Sequence, residues 1–425
     1  MDEQTSHEVH PPTTWRPAIL SISSMLLGSF GGIVALTALS IQIFKVRRSE
    51  ADLGFLGLAE FLPGVALVLV TGIVADRFDR RKIGSIAYAF EACLFVGLAF
   101  FVRTPPRTVL PFFVFAALFG VGRSFGAPAL RSLIPAAAPK DQLERTIATM
   151  SLSWQGSFIV GPVVGALLNK QSRMLPHVVG AVCTAAAALL VLAIPRAVGR
   201  AHLGHDDGEA APRPTFTAAI EGFRFIRRTP VLLGAISLDL FAVLFGGAVA
   251  LLPAIVDKIL KVDDVWVGYL RAGGGIGASV VTLALAARPI RRRVGRVLLI
   301  SVGLFGVGTI VLGFTRNVWI ALAAFAVLNA GDSVSVFVRS TLVPLVTPAD
   351  QRGRVLATES IFIGASNELG AFESGIAAAL FGTVAAVVSG GVLTLGVVAL
   401  FWFRFTALRD VDRFDDLTRT PQSTG

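Results

Sequence analysis

Runs of about twenty consecutive apolar residues recur along the whole of this 425-residue chain, and about twenty is the number a helix needs to cross a bilayer's hydrocarbon core. Inside lipid the chain must satisfy every backbone N–H and C=O itself, which leaves helices or a closed barrel. Barrel strands alternate apolar and polar residues over about ten positions, and none of these runs alternates. The runs are therefore helices. Composition agrees: 54% of residues are hydrophobic and 16% charged, against about 25% charged in a soluble domain. That is more apolar surface than one water-soluble core can hide.

The runs predict helices near 18–44, 54–75, 83–102, 108–134, 146–168, 176–194, 231–256, 265–287, 297–314, 318–343, 356–381 and 384–407. The expected layout is a tail at 1–17, a six-helix bundle at 18–194, a polar linker at 195–230, a second six-helix bundle at 231–407 and a tail at 408–425. An even number of spans puts both termini on one side. Alternate loops hold nineteen Lys and Arg on the side of the termini and ten on the other, so the positive-inside bias predicts cytoplasmic termini. The net charge of +10 sits in those short loop clusters; it encodes topology and does not point to nucleic acid. Within the linker, Phe216, Ile220, Phe223 and Ile226 share one helical face beside Arg224, Arg227 and Arg228, a pattern suited to the lipid surface.

Several classes drop out. Cys93 and Cys183 lie inside apolar runs, and His7, His10, His177, His202 and His205 lie in tails and loops. No disulfide framework, metal site, cofactor or intramembrane enzyme site is expected from them. Asp2, Glu3 and Glu8 precede the first run, unlike the basic start of a cleaved signal peptide, so that helix is expected to be retained.

The chain repeats itself. Pro139, Asp141, Gln142, Arg145, Ala148 and Thr149 recur as Pro348, Asp350, Gln351, Arg354, Ala357 and Thr358, 209 positions on. Arg77, Arg80, Arg81, Lys82 and Gly84 recur as Arg288, Arg291, Arg292, Arg293 and Gly295, at an offset of 211. Gly57 and Gly64 match Gly268 and Gly275, while Gly122 and Ser124 match Gly331 and Ser333. Offsets this constant over four segments indicate two duplicated bundles in the same orientation, related by an axis along the membrane normal.

The stretch from Gly72 through Asp76, Arg77, Arg80, Arg81 and Lys82 resembles the signature loop between helices 2 and 3 of the major facilitator superfamily. It departs at Asp79, where the family usually has glycine. The segments Gly122–Phe125, Leu133–Pro135 and Arg352–Val355 are similar to the branch containing enterobactin exporters and macrolide-efflux proteins. The resemblance implies that Gly72, Asp76, Arg77, Arg80 and Arg81 form a conformational latch. Asp76 would accept backbone N–H groups near Arg354 to Thr358, where the helix dipole is positive; the other reading makes these basics simple topology signals. Gly156, Gly161, Pro162 and Gly165 resemble a partial antiporter motif: glycines admit a neighbouring backbone and the proline bends the helix. The resemblance also implies a bacterial inner-membrane protein working as a monomer.

Charges within spans are expensive and mark function by default. The repeat pairs Arg123 with Asp332 and Glu60 with Arg271; Asp239, Glu368 and Glu373 complete the candidates for proton coupling or a charged cavity. The resemblance puts Arg123, Asp239 and Asp332 on cavity-lining helices. Asp239 is expected to carry the proton and Asp332 to be held by its symmetry-related Arg123, the alternative being permanent structural pairs. Glu91 is expected to be structural and Glu359 wet. Thirty-one Phe, among them Phe30, Phe125 and Phe241, suit an apolar pocket. The expected function is a proton-coupled exporter of small amphipathic organic molecules working by alternating access, with a siderophore exporter as the alternative. Its partners would be a small-molecule substrate, protons and membrane lipids. Outside transport, the rival is a membrane sensor.

Overall fold

The structure, a computed structural model, describes residues 14–199 and 216–419, without the side chains of 68, 69, 72, 73, 75, 76, 216–219, 418 and 419. Among the described residues there is no strand. Helices α1 (Arg16–Arg47), α2 (Glu50–Arg77), α3 (Arg80–Phe101), α4 (Leu110–Ala136), α5 (Leu143–Gln171), α6 (Leu175–Leu192) and the short α7 (Arg196–Gly199) come first. Then follow α8 (Phe216–Arg228), α9 (Pro230–Phe245), the single turn α10 (Leu252–Ala254), α11 (Val265–Ala287), α12 (Val294–Phe314), α13 (Val318–Val346), α14 (Arg352–Phe381), α15 (Thr383–Arg404), α16 (Thr406–Arg409) and α17 (Phe414–Arg419).

Ten helical stretches among the described residues are long and apolar enough to cross a membrane. The other two expected spans are α2, of 28 residues, and α14, of 30. Both carry carboxylates: Glu50, Asp52 and Glu60 in α2, Glu359, Glu368 and Glu373 in α14. The span expected at 231–256 is not one continuous helix. It breaks after Phe245 into a 3-10 turn at Gly247–Val249, continues through α10, and ends in a π-helical turn at Ile255–Leu260 closed by left-handed Lys261. At the break, Gly246 abuts the Phe305 ring and Gly247 lies against the carbonyl of Gly370, where a side chain would not fit.

Two compact units result: residues 1–42 with 59–210, and residues 43–58 with 211–425. Lipid gives packed helices no hydrophobic drive toward one another, so close backbone approach between small residues does the work. In the first unit the carbonyl of Glu60 occupies the space a side chain at Gly120 would need. Gly161 and Gly165 press α5 onto Ile33 and Val34 of α1. Gly156 faces open space, so the close-approach role expected for it belongs to the other two glycines alone.

The first unit closes where α3 begins. Asp79 caps that helix: its carboxylate accepts from the backbone N–H of Arg81 at 3.0 Å and pairs with the Arg81 guanidinium at 3.1 Å. Arg81 also donates to the carbonyls of Leu192, the last residue of α6, and Ile194 just past it. The glycine-to-aspartate departure thus supplies a buried cap.

The second unit makes the equivalent closure differently, with the C-terminal segment. Backbone N–H groups of Arg293, Val294 and Gly295 donate to the Asp412 carboxylate, the Asp412 carbonyl and the Val411 carbonyl at 3.0, 3.2 and 3.1 Å. Leu408 and Val411 are buried in a core shared with Leu232, Leu298, Val338, Leu342, Val355 and Ile226 of α8. The amphipathic helix expected at the lipid surface is therefore docked on protein. Glu221 pairs with Arg354 at 2.6 Å, Gly222 abuts the Arg354 carbonyl, and the Phe223 ring packs on Phe362.

Candidate functional site

In the second unit, α9, α13 and α14 bring ionisable groups together. Arg339 on α13 reaches Asp239 on α9 at 2.9 Å and Glu359 on α14 at 3.6 Å. All three are buried, with 4%, 4% and 7% of Arg339, Asp239 and Glu359 exposed. The burial corrects the expectation that Glu359 is wet. Ser335 donates a longer hydrogen bond to Asp239 at 3.4 Å. Asp332, Ser335 and Arg339 follow a three- and seven-residue spacing, which lines them along one face of α13. Asp332 makes no hydrogen bond or ion pair among the described residues. Asp239 is thus the carboxylate paired with an arginine, and Asp332 is the one without an ion pair among the described residues.

The first unit contains a second intramembrane pair, Glu60 on α2 with Arg123 on α4 at 2.8 Å. Glu91 on α3 is 6% exposed and makes no ion pair among the described residues; its Cγ lies near Gly122 of α4. The other candidates are scattered. Arg271 is half-buried on α11, Glu368 abuts Gly57, and Glu373 is exposed with the Ser374 hydroxyl at 3.4 Å. Within the signature loop, Arg77 is exposed, Arg80 half-buried and Arg81 buried. The Asp76 side chain and the surroundings of Gly72 lie outside the described residues. His177, expected in a loop, belongs to α6, is fully buried and lies 2.9 Å from Gln42 Oε1. Gln42 in turn donates to Asn169 and to the Arg173 carbonyl.

Sequence reasoning missed Arg339 and Glu359 as site residues because the repeat was used to sort the charges. Their positions 209 residues earlier are Leu130 and Met150, and Asp239 corresponds to Phe30. The usable signal was the spacing of Asp332, Ser335 and Arg339 on one helix.

The sequence profile of the Major Facilitator Superfamily matches residues 18–297. The chain belongs to that superfamily. It is a multi-pass membrane transporter and not an enzyme. Among curated relatives, the enterobactin exporter EntS of Shigella boydii serotype 4 is 24% identical over 407 residues, covering 90% of this chain and 93% of that one. The EntS protein of Salmonella typhimurium is 26% identical over 398 residues, covering 89% and 91%. Solved structures similar to this superfamily member show the shared fold. A bacterial homolog of the human lysosomal transporter Spinster has a TM-score of 0.68 at 14% identity, covering 95% of this chain and 99% of that one. The nucleoside transporter NupG has 0.65 at 14%, covering 92% and 98%.

Proposed function

We propose that this transporter is a proton-driven exporter of small amphipathic organic molecules, with alternating access of its two halves in a bacterial inner membrane. The observation that carries the reading is the charge inventory around Arg339: three carboxyl groups, Asp239, Glu359 and Asp332, and one guanidinium. One cation cannot neutralise three carboxylates, and surplus charge away from water is costly. A proton delivered to the cluster removes that surplus, and its departure restores it, so proton occupancy biases which conformation is favoured. Asp332, without an ion pair among the described residues, is the group assigned to carry it. The Glu60–Arg123 pair serves as the charged wall in the first unit.

A siderophore exporter is the second reading, favoured by relatives named for enterobactin export over nine-tenths of the chain. Both readings keep the termini cytoplasmic, the protein monomeric and the bundles at 18–194 and 231–407. The test is efflux from cells expressing the chain, loaded with either a lipophilic dye or enterobactin, with and without an uncoupler. Export of at least one compound that collapses on uncoupling is expected. Export unaffected by the uncoupler would remove proton coupling, and the compound exported decides between the substrates.

A further inference from the structure

The second unit contains a groove of about 830 Å³ at the end of its bundle remote from the C-terminal segment. Its mouth is polar and its body apolar. At the mouth, Lys258 Nζ donates to Glu50 Oε1 at 2.6 Å, and the Thr383 hydroxyl donates to the same oxygen at 2.6 Å. The Lys258 ammonium also lies 5.7 Å from the centre of the Phe44 ring. Its side chain stays 38% exposed, whereas that of Glu50 is 6% exposed. An ammonium has three donors, and among the described residues Glu50 is its one hydrogen-bond partner. Lys258 rides on the π-helical turn Ile255–Leu260, a local widening that recurs at functional positions.

Below the mouth the groove runs between the ends of α12 and α14 and down α15, past Phe314, Phe381, Val388, Ser389 and Val392. Phe314, Phe381 and Val392 are 66%, 75% and 54% exposed, so this wall faces outward. From Thr383 to Val392 a helix rises about 14 Å, close to half the ~30 Å hydrocarbon core. A groove one leaflet deep, apolar along its length and carrying an ammonium at its outer end, matches one molecule in both polarity and dimension. We propose that it binds a membrane glycerophospholipid, with an acyl chain along α15 and the phosphate on Lys258. Glu50, itself held by the Thr383 hydroxyl, keeps the lysine in place, and the lipid lies across the Gly382 junction of α14 and α15.

The test is native mass spectrometry of the full chain from detergent, supplied with palmitoyl-oleoyl phosphatidylethanolamine, phosphatidylglycerol or dioleoylglycerol. One phospholipid per chain is expected to be retained, with the phosphate-free diacylglycerol retained about tenfold less. Ser389→Trp fills the groove from an exposed position, leaves the mouth intact and should lower phospholipid retention about tenfold. Lys258→Gln should do the same through the headgroup. Wild-type retention by Ser389→Trp, or equal retention of diacylglycerol, overturns the proposal. Displacement of the lipid by millimolar inorganic phosphate would also overturn it, by making the site one for the free anion.

Discussion

At the scale of single residues, the informative contrast is between Asp239 and Asp332. Asp239 is fixed by Arg339 at 2.9 Å; removing its charge leaves a buried guanidinium whose remaining ion pair among the described residues is the looser Glu359 contact at 3.6 Å. Breaking a buried pair from one side costs about 3 kcal/mol, so Asp239→Asn should lower the thermal unfolding temperature of the purified protein. Asp332→Asn breaks no ion pair and should leave that temperature unchanged, while abolishing uncoupler-sensitive efflux and sparing substrate counterflow. Proton-driven efflux retained by Asp332→Asn would pass the role to Glu359 or Asp239. The sequence made every one of these residues visible as a charge in an apolar run, yet not its partner. Pairing depends on which faces of α9, α13 and α14 meet, and Asp239, Arg339 and Glu359 have no charged counterparts in the first half for the repeat to expose. Asp79 offers a cleaner case. Asp79→Ala removes both the cap of α3 and the carboxylate partner of buried Arg81. A loss of about 2 kcal/mol is expected, read as lower thermal stability; a variant as stable as wild type would show that the carbonyls of Leu192 and Ile194 suffice for Arg81.

Among elements, α8 shows how far periodicity carries. Its amphipathic spacing is plain in the sequence, and the helix forms at Phe216–Arg228. Periodicity says that one face is apolar but not what covers it. Ile226 is 2% exposed in the core of the second unit, while Ile220 and Phe223 keep 42% and 45% of their surface exposed. The determinant is Gly222, which lets α8 close onto the Arg354 carbonyl and the Thr358 side chain. Gly222→Val should lever α8 off α14 and open Arg224, Arg227 and Arg228 to trypsin, detected as a fragment pattern absent from wild type. Unchanged digestion would mean that the Glu221–Arg354 pair and Ile226 hold the helix without close approach. The broken span after Phe245 was less legible. Two adjacent glycines mark a weak point in a helix, but the Phe305 ring and Gly370 carbonyl that exploit it come from α12 and α14.

For the whole molecule, the superfamily was readable from hydropathy, the repeat and the signature loop, because the bilayer leaves so few alternatives. The basic residues between spans served as orientation marks in that reading, and the structure gives several a second use. At the end of α1, Lys45 pairs with Asp264, Arg47 with Asp52 at 3.7 Å and Arg48 with Asp257 at 3.5 Å. The nineteen-to-ten bias still sets the expected orientation: reporters inserted after residue 200 and fused at the C-terminus should both report cytoplasm. A periplasmic signal from either would reverse the topology. The segment that closes the start of α12 has a further consequence, in time. Arg293 and its acceptor Asp412 are 119 positions apart, so at 5–20 residues per second the ribosome takes about ten seconds to make the second after the first. Through that interval the first N–H groups of α12 wait for acceptors that have not been synthesised. A nascent chain cut short by a stop codon before residue 411 would never receive them, and its second half would be exposed to proteases that survey unfinished membrane proteins.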